Sequence, residues 1–400
     1  MTNRSKLEDA GRPLTRDGLR DFLDGLPNPP RLLGLGEPTH GGQAFPQLRN
    51  EILRYLVEDA GYRSIAIESD CLAGLLVDDY VHTGDGELDD VLTRGFSHGF
   101  GAYAANRDLV EWLRDCGGDV RFYGFDAPME TMYAPSPRGA MLYAYDFMAG
   151  RVDADLMLGA RGEIEELCGD DARWVDPAAA MDPARSVGSA PEVTRLRVLA
   201  DDLRAVLVAD APRLIAATSA DAWWRADLHL RAAAGLLRYH AAMAQDTPGR
   251  VNRLMWMRDA MMAESLLSIV ERERDRGPTL VFAASAHLQR QLSRWEQAGP
   301  ILAWWSAGAI AATRLGDAYA FIATALGAAP DKEIGVPAPD TVEGLLAGLP
   351  HERYLLDGPR LAAVAGHSSP RAGFPPAAGY FPLEPAHLAE AEGVAFLRKV

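Results

Sequence analysis

The chain predicts an α/β fold: a central, largely parallel sheet flanked by helices, with a helical insertion over the edge where a site would lie. Three observations carry this. Short apolar runs recur, bounded by glycine or polar residues; amphipathic helical segments separate the first of them; and a long middle stretch shows helical periodicity alone.

The runs are Leu32–Leu35, Ser64–Glu68 (SIAIE), Val120–Phe125 (VRFYGF) and Thr279–Ala284 (TLVFAA). Each is short enough to be a buried strand. Between the first two, Gln47–Ala60 sets Leu48, Ile52, Leu53, Leu56 and Val57 at helical spacing, and Gly61 stands where a C-terminal cap glycine belongs. Asn106–Cys116 repeats the pattern with Leu109, Val110 and Leu113, and Gly117-Gly118 ends it. From Arg138 to Arg274 the periodicity is mostly helical, broken by the loop-like Trp174–Pro191. The expected organisation is an α/β core begun by residues 1–137, a mainly helical insertion over 138–274, and a second core part over 275–400. Loops are expected to dominate the C-terminal quarter, Gly366–Pro376 especially.

A formal net charge of −16 argues against a nucleic-acid binder, which needs a basic face for phosphates. The three cysteines, Cys71, Cys116 and Cys168, form no CxxC pair, so neither a disulfide framework nor a thiolate zinc site is expected. The N-terminal MTNRSKLEDAGRPL has no apolar h-region, and the most apolar run, Ile301 to Ala312, is too short for a bilayer. A cytoplasmic enzyme acting on a small molecule is the expectation, with no membrane association, no cofactor, and room for a partner protein that the sequence does not reveal.

Ligands of open α/β sheets bind beyond the carboxyl ends of the strands. There the first run ends at Gly36-Glu37, with His40 close behind; the second ends at Glu68-Ser69-Asp70; the fourth leads into Ser285-Ala286-His287. Two glutamates and two histidines at one edge exceed what packing requires. A carboxylate beside an imidazole fixes its tautomer and raises its basicity, which suits a base acting on water. A second histidine could protonate a leaving group or steady an oxyanion. Taken singly these residues have simpler readings: Glu68 could cap the following helix, Trp223-Trp224 and Trp304-Trp305 read as core, and Arg258-Asp259 reads as an ion pair anchoring a helix. A metal held by Glu37, His40, Glu68 and His287 is a further option, although Glu-x-x-His here lies in a glycine-flanked turn and not on a helix.

GEPTHGG, a helix containing Arg49, and IAIESD together resemble the opening signature of the erythromycin esterase family. NRDLVEWLR…VRFYGFDAP, MRDAMMAESL and TLVFAASAH follow in the family's order. The resemblance implies an α/β core with a helical region over the cleft, and hydrolysis of a macrolide lactone ester by water that a histidine activates, without a required metal. It marks His40 as the water-activating base, Glu37 as its neighbour, Glu68 as a second carboxylate, Arg49 as the active-site arginine and His287 as the last histidine of a late H-N-x-H-like motif. Two positions depart from the family pattern: Ala284 replaces the first histidine of that motif, and Gln43-Ala44 stand where a glutamate is common. The expected activity is hydrolysis of an ester or lactone in a hydrophobic small molecule, macrolide-like or another natural product. The alternative is a biosynthetic cyclisation or elimination using the same base.

Overall fold

In the computed structural model, which describes residues 7–9, 11–130, 133–296 and 301–400, an eight-stranded sheet forms the centre. Its strands are β1 (Gly11–Pro13), β2 (Leu32–Glu37), β3 (Ser64–Asp70), β4 (Arg121–Asp126), β5 (Thr279–Ala284), β8 (Tyr319–Ala328), β9 (Arg353–Asp357) and β10 (Gly393–Lys399); β6 (Leu292–Trp295) and β7 (Leu302–Trp305) make a separate hairpin. The order is β1-β9-β10-β8-β2-β5-β3-β4. From β10 to β4 every neighbouring pair is parallel, and β9 runs antiparallel to both its neighbours. β2 has no exposed position, as expected of a parallel strand covered on both faces.

The two amphipathic segments are helices Ala44–Asp59 and Ala104–Asp115. The first starts three residues before the expected Gln47 because Pro46 sits in its opening turn, where a missing N–H costs nothing. Gly61, at φ +73°, closes it as expected. Because β2 and β3 flank β5, the Ala44–Asp59 connection crosses over a strand supplied from much later in the chain. Strands distant in sequence therefore end side by side at one sheet edge.

Helices Arg138–Met148, Arg161–Cys168, Pro191–Ala209 and Ala220–Met243 share an apolar cluster of their own, including Met141, Ile164, Leu196, Leu203, Leu230 and Leu237. Helix Arg250–Arg272 lies between that cluster and the sheet, turning Met262, Leu266 and Ile269 toward the sheet's core. The C-terminal quarter holds more strand than its Pro and Gly content suggests. β8 reads YAFIATALGA, so its alanines and glycine mute the β-branched signal, although nine of its ten residues are buried. Gly366–Pro375 is free of regular helix and strand. Trp304 and Trp224 are buried, whereas Trp305 is 52% exposed because successive residues of β7 face opposite ways. No helix among the described residues is long and apolar enough to cross a membrane.

Candidate active site

The carboxyl ends of β2, β5, β3 and β4 stand side by side and carry the ionisable groups. At the end of β2 the chain turns through Pro38 to Gly42, with Gly41 at φ +82°, a conformation that favours glycine. The turn is pinned from the C-terminal segment: Thr39 Oγ1 donates to Ala378 O (2.6 Å), Phe381 N donates to Pro38 O (2.7 Å), and the Lys332 ammonium donates to the His40 carbonyl. So held, His40 places Nδ1 2.5 Å from Glu37 Oε1 and Nε2 3.8 Å from Glu68 Oε2. Burial works against charge on this ring, but the Glu37 and Glu68 carboxylates outweigh it and raise the His40 pKa to about 9.

Glu68, nearly inaccessible, is the hub. Its Oε2 accepts from the Ala284 backbone N–H (2.8 Å); its Oε1 accepts from Arg258 Nη2 (3.1 Å) and lies 3.4 Å from His287 Nε2. Burial alone would favour its protonation; His287, His40 and Arg258 reverse that and hold it below the usual carboxylate range. Glu68 does not cap the next helix. That helix, Gly74–Thr83, has no side-chain cap, and Asp70 instead closes the turn before it, accepting from Leu72 N and Ala73 N at 2.7 and 3.1 Å.

Arg258 and Asp259 are helix neighbours that part company. Arg258 grips Asp126 with two bonds, Nε to Oδ1 at 3.0 Å and Nη2 to Oδ2 at 2.6 Å, while also reaching Glu68. Asp259 instead meets His287 Nδ1 at 2.9 and 3.0 Å and accepts from Ala307 N at 2.9 Å. His287 therefore donates from Nδ1 and turns Nε2 to Glu68. Its pKa is raised, since Asp259 and Glu68 outweigh its burial. Asp126 is pulled far below its ordinary range despite its burial, by Arg258 and His98.

Four of the five residues singled out in the sequence, Glu37, His40, Glu68 and His287, form this contiguous cluster. Arg49 lies behind it. Its guanidinium, 1% exposed, donates to Asn50 Oδ1, Asn106 Oδ1 and Ala105 O, and stacks 5.1 Å from the Phe282 ring. Burial lowers its pKa to about 9, with Glu37 pulling the other way. Arg49, Glu37 and Glu68 line a cavity with room for about one water. The cation in direct contact with Glu68 is Arg258. At the two divergent positions, Gln43 Oε1 accepts from Ala105 N (3.1 Å), and Ala284 serves through its backbone N–H. Sequence reasoning missed Asp126, Arg258 and Asp259 as members of the cluster. Asp126 was signalled by its place at the end of the third strand run; for the other two the signs were a charged pair in the helix and its place in the MRDAMMAESL block.

The arrangement can exchange a proton at His40 Nε2, hold a second proton at His287 Nε2, and fix both relative to one carboxylate. Among the described residues, no group of three or more His, Cys, Asp or Glu is arranged to hold a metal ion. Cys71, Cys116 and Cys168 are free thiols.

A family model described as Erythromycin esterase matches residues 57–374. The chain belongs to the erythromycin esterase family. The matched span includes Glu68, Asp126, Arg258, Asp259 and His287 and begins after Glu37 and His40. Over 102 residues the chain is 29% identical to erythromycin esterase type II of Escherichia coli, a stretch covering 24% of each protein. The chain thus spans about a quarter of that relative. A Bacillus cereus protein of known structure matches with a TM-score of 0.74 at 17% identity, over 100% of this chain and 97% of its own. An erythromycin esterase variant crystallised in an open conformation matches at 0.67 and 18% identity, over 95% and 92%. A succinoglycan biosynthesis protein matches at 0.65 and 16% identity, over 99% and 96%. At these identities the structural likenesses show the erythromycin esterase fold, an α/β core on a mostly parallel sheet.

Proposed function

We propose that the protein hydrolyses an ester or lactone bond in a neutral, hydrophobic small molecule. Family membership supports an esterase-type hydrolase, and the observation that carries the mechanism is the disposition of His40. Glu37 occupies Nδ1, so Nε2 is the atom left to work, and it faces Glu68 across 3.8 Å. A water hydrogen-bonded to Nε2 beside Glu68 gives its proton to Nε2 as its oxygen attacks the acyl carbon. The carbonyl oxygen takes up the electron pair, and the tetrahedral intermediate collapses by expelling the alkoxide. His287, held by Asp259, supplies the proton that the alkoxide needs and regains one from the solvent-equilibrated site. Arg258 keeps Glu68 ionised and in place. Every cation in the cluster already faces a carboxylate, which favours an uncharged substrate.

His40 carries its proton at neutral pH, so the basic form is a minor one, about one in a hundred at pH 7. The catalytic rate is accordingly expected to rise toward alkaline pH. The experiment is a screen of p-nitrophenyl esters and macrolide lactones in isotopically labelled water. Label in the acid product supports hydrolysis; no turnover across the panel overturns it.

A second reading rests on Ala284. No imidazole stands at that position, so the site has one proton-transfer group fewer than the family pattern. The same His40 would then deprotonate a nucleophile within the substrate, giving a cyclised or eliminated product that carries no label from water.

A further inference from the structure

His98 is a non-glycine residue at φ +57°, a left-handed conformation that side chains with a Cβ avoid. Gly99 follows at φ +72°. A residue needed only to turn the chain would be glycine or asparagine. Here the imidazole is fully engaged: Nε2 lies 2.9 Å from Asp126 Oδ2, and Nδ1 lies 3.0 Å from Glu130 Oε2. Glu130 also accepts the His98 backbone N–H, at 2.9 and 3.1 Å. With a carboxylate at each nitrogen, the ring holds both protons. The ring makes an edge contact with Phe100, whose ring lies 5.4 Å from that of His40.

Asp126 is completely buried and saturated: Oδ1 accepts from Ala127 N and Arg258 Nε, and Oδ2 from Arg258 Nη2 and His98 Nε2. Arg258 in turn divides Nη2 between Asp126 and Glu68. Charges therefore alternate from the exposed Glu130 through His98, Asp126 and Arg258 to Glu68 at the reacting centre. We propose that His98 is a positioning residue, which shares Asp126 Oδ2 with Arg258 and so tempers the pull of Asp126 on the guanidinium, letting Nη2 also hold Glu68 against His40 and His287. Without the imidazole, Asp126 draws Arg258 onto itself, and Glu68 presents a less neutralised charge to both active-site histidines. The kinetic consequence rests on the hydrolase reading; the electrostatic one does not.

The test uses H98G, which relieves the backbone while deleting the ring, and H98N, whose asparagine tolerates the left-handed region and so keeps a folded variant in hand. NMR titration of the His40 and His287 ring signals is compared with the wild type, alongside kinetics on a p-nitrophenyl ester. Both histidine midpoints are expected to move upward, and kcat to fall by about tenfold to a hundredfold with KM little changed. Unmoved midpoints in a folded variant overturn the proposal, whatever happens to melting temperature. If the wild type cleaves no ester, the hydrolase reading fails and the titration alone decides the positioning role.

Discussion

Glu68 stands between two imidazoles, its Oε2 3.8 Å from Nε2 of His40 and its Oε1 3.4 Å from Nε2 of His287. Each ring is anchored through its other nitrogen, His40 by Glu37 and His287 by Asp259. The remaining nitrogen of each ring therefore faces the same carboxylate. This pairing ties two segments distant in sequence, residues 37–40 and 284–287, together through the β2–β5 register, in which Glu37 lies opposite Ala284.

Replacing Glu37 by Gln removes the charge that most raises His40. The His40 midpoint should fall from about 9 toward the ordinary histidine value near 6.5, and the rising limb of kcat/KM should follow it to lower pH. The maximal rate should drop as well, since the weaker base takes a proton less readily. A pH–rate profile of the variant checks both.

Asp259→Asn leaves a group able to hold Ala307 N but no longer fixes the His287 tautomer. The expected loss is in kcat, by about 10²–10⁴. Trp304, 6.1 Å from the His287 ring, gives a fluorescence check that the fold persists.

Much of this was legible in the sequence. The four strand runs, the helices between them and the edge at which Glu37, His40, Glu68 and His287 meet follow from run length, cap glycines and strand ends. What stayed hidden had physical causes. β8 is built of alanine and glycine and signals weakly as a strand, and the partners of Arg258 and Asp259 lie on β3, β4 and the turn after β5, so no local pattern could reveal them. The departures at Ala284 and Gln43 were visible as letters. Their consequences, a backbone N–H on Glu68 and a helix-start acceptor, needed coordinates.

Asp126→Asn strands a buried arginine beside one remaining carboxylate. Breaking such a pair should cost roughly 3–5 kcal/mol, read by urea unfolding. The sign with pH is fixed by the Asp126 pKa lying below its unfolded value of about 3.9. Its contribution is present above that value and is lost as pH falls toward the folded pKa, so the acid-induced loss of stability should be shallower in the variant.

His40 has the opposite sign. Its folded pKa lies above the unfolded one, so its contribution is complete below about pH 6.5 and is lost as pH rises through about 9. In His40→Ala the stability of the protein between those values should become flatter, measurable by chemical denaturation at a series of pH values.

The central claim is that His40 Nε2 is the base for the attacking water. The measurement that tests it most directly is kcat/KM for an ester that the wild type cleaves, followed from pH 6 to 10 in the wild type and in His40→Ala. The expected result is a rate rising through about 9 in the wild type and, in the variant, a loss of about 10²–10⁴ with that rise abolished. Hydrolysis by His40→Ala at the wild-type level, or with the same rising limb, would contradict it.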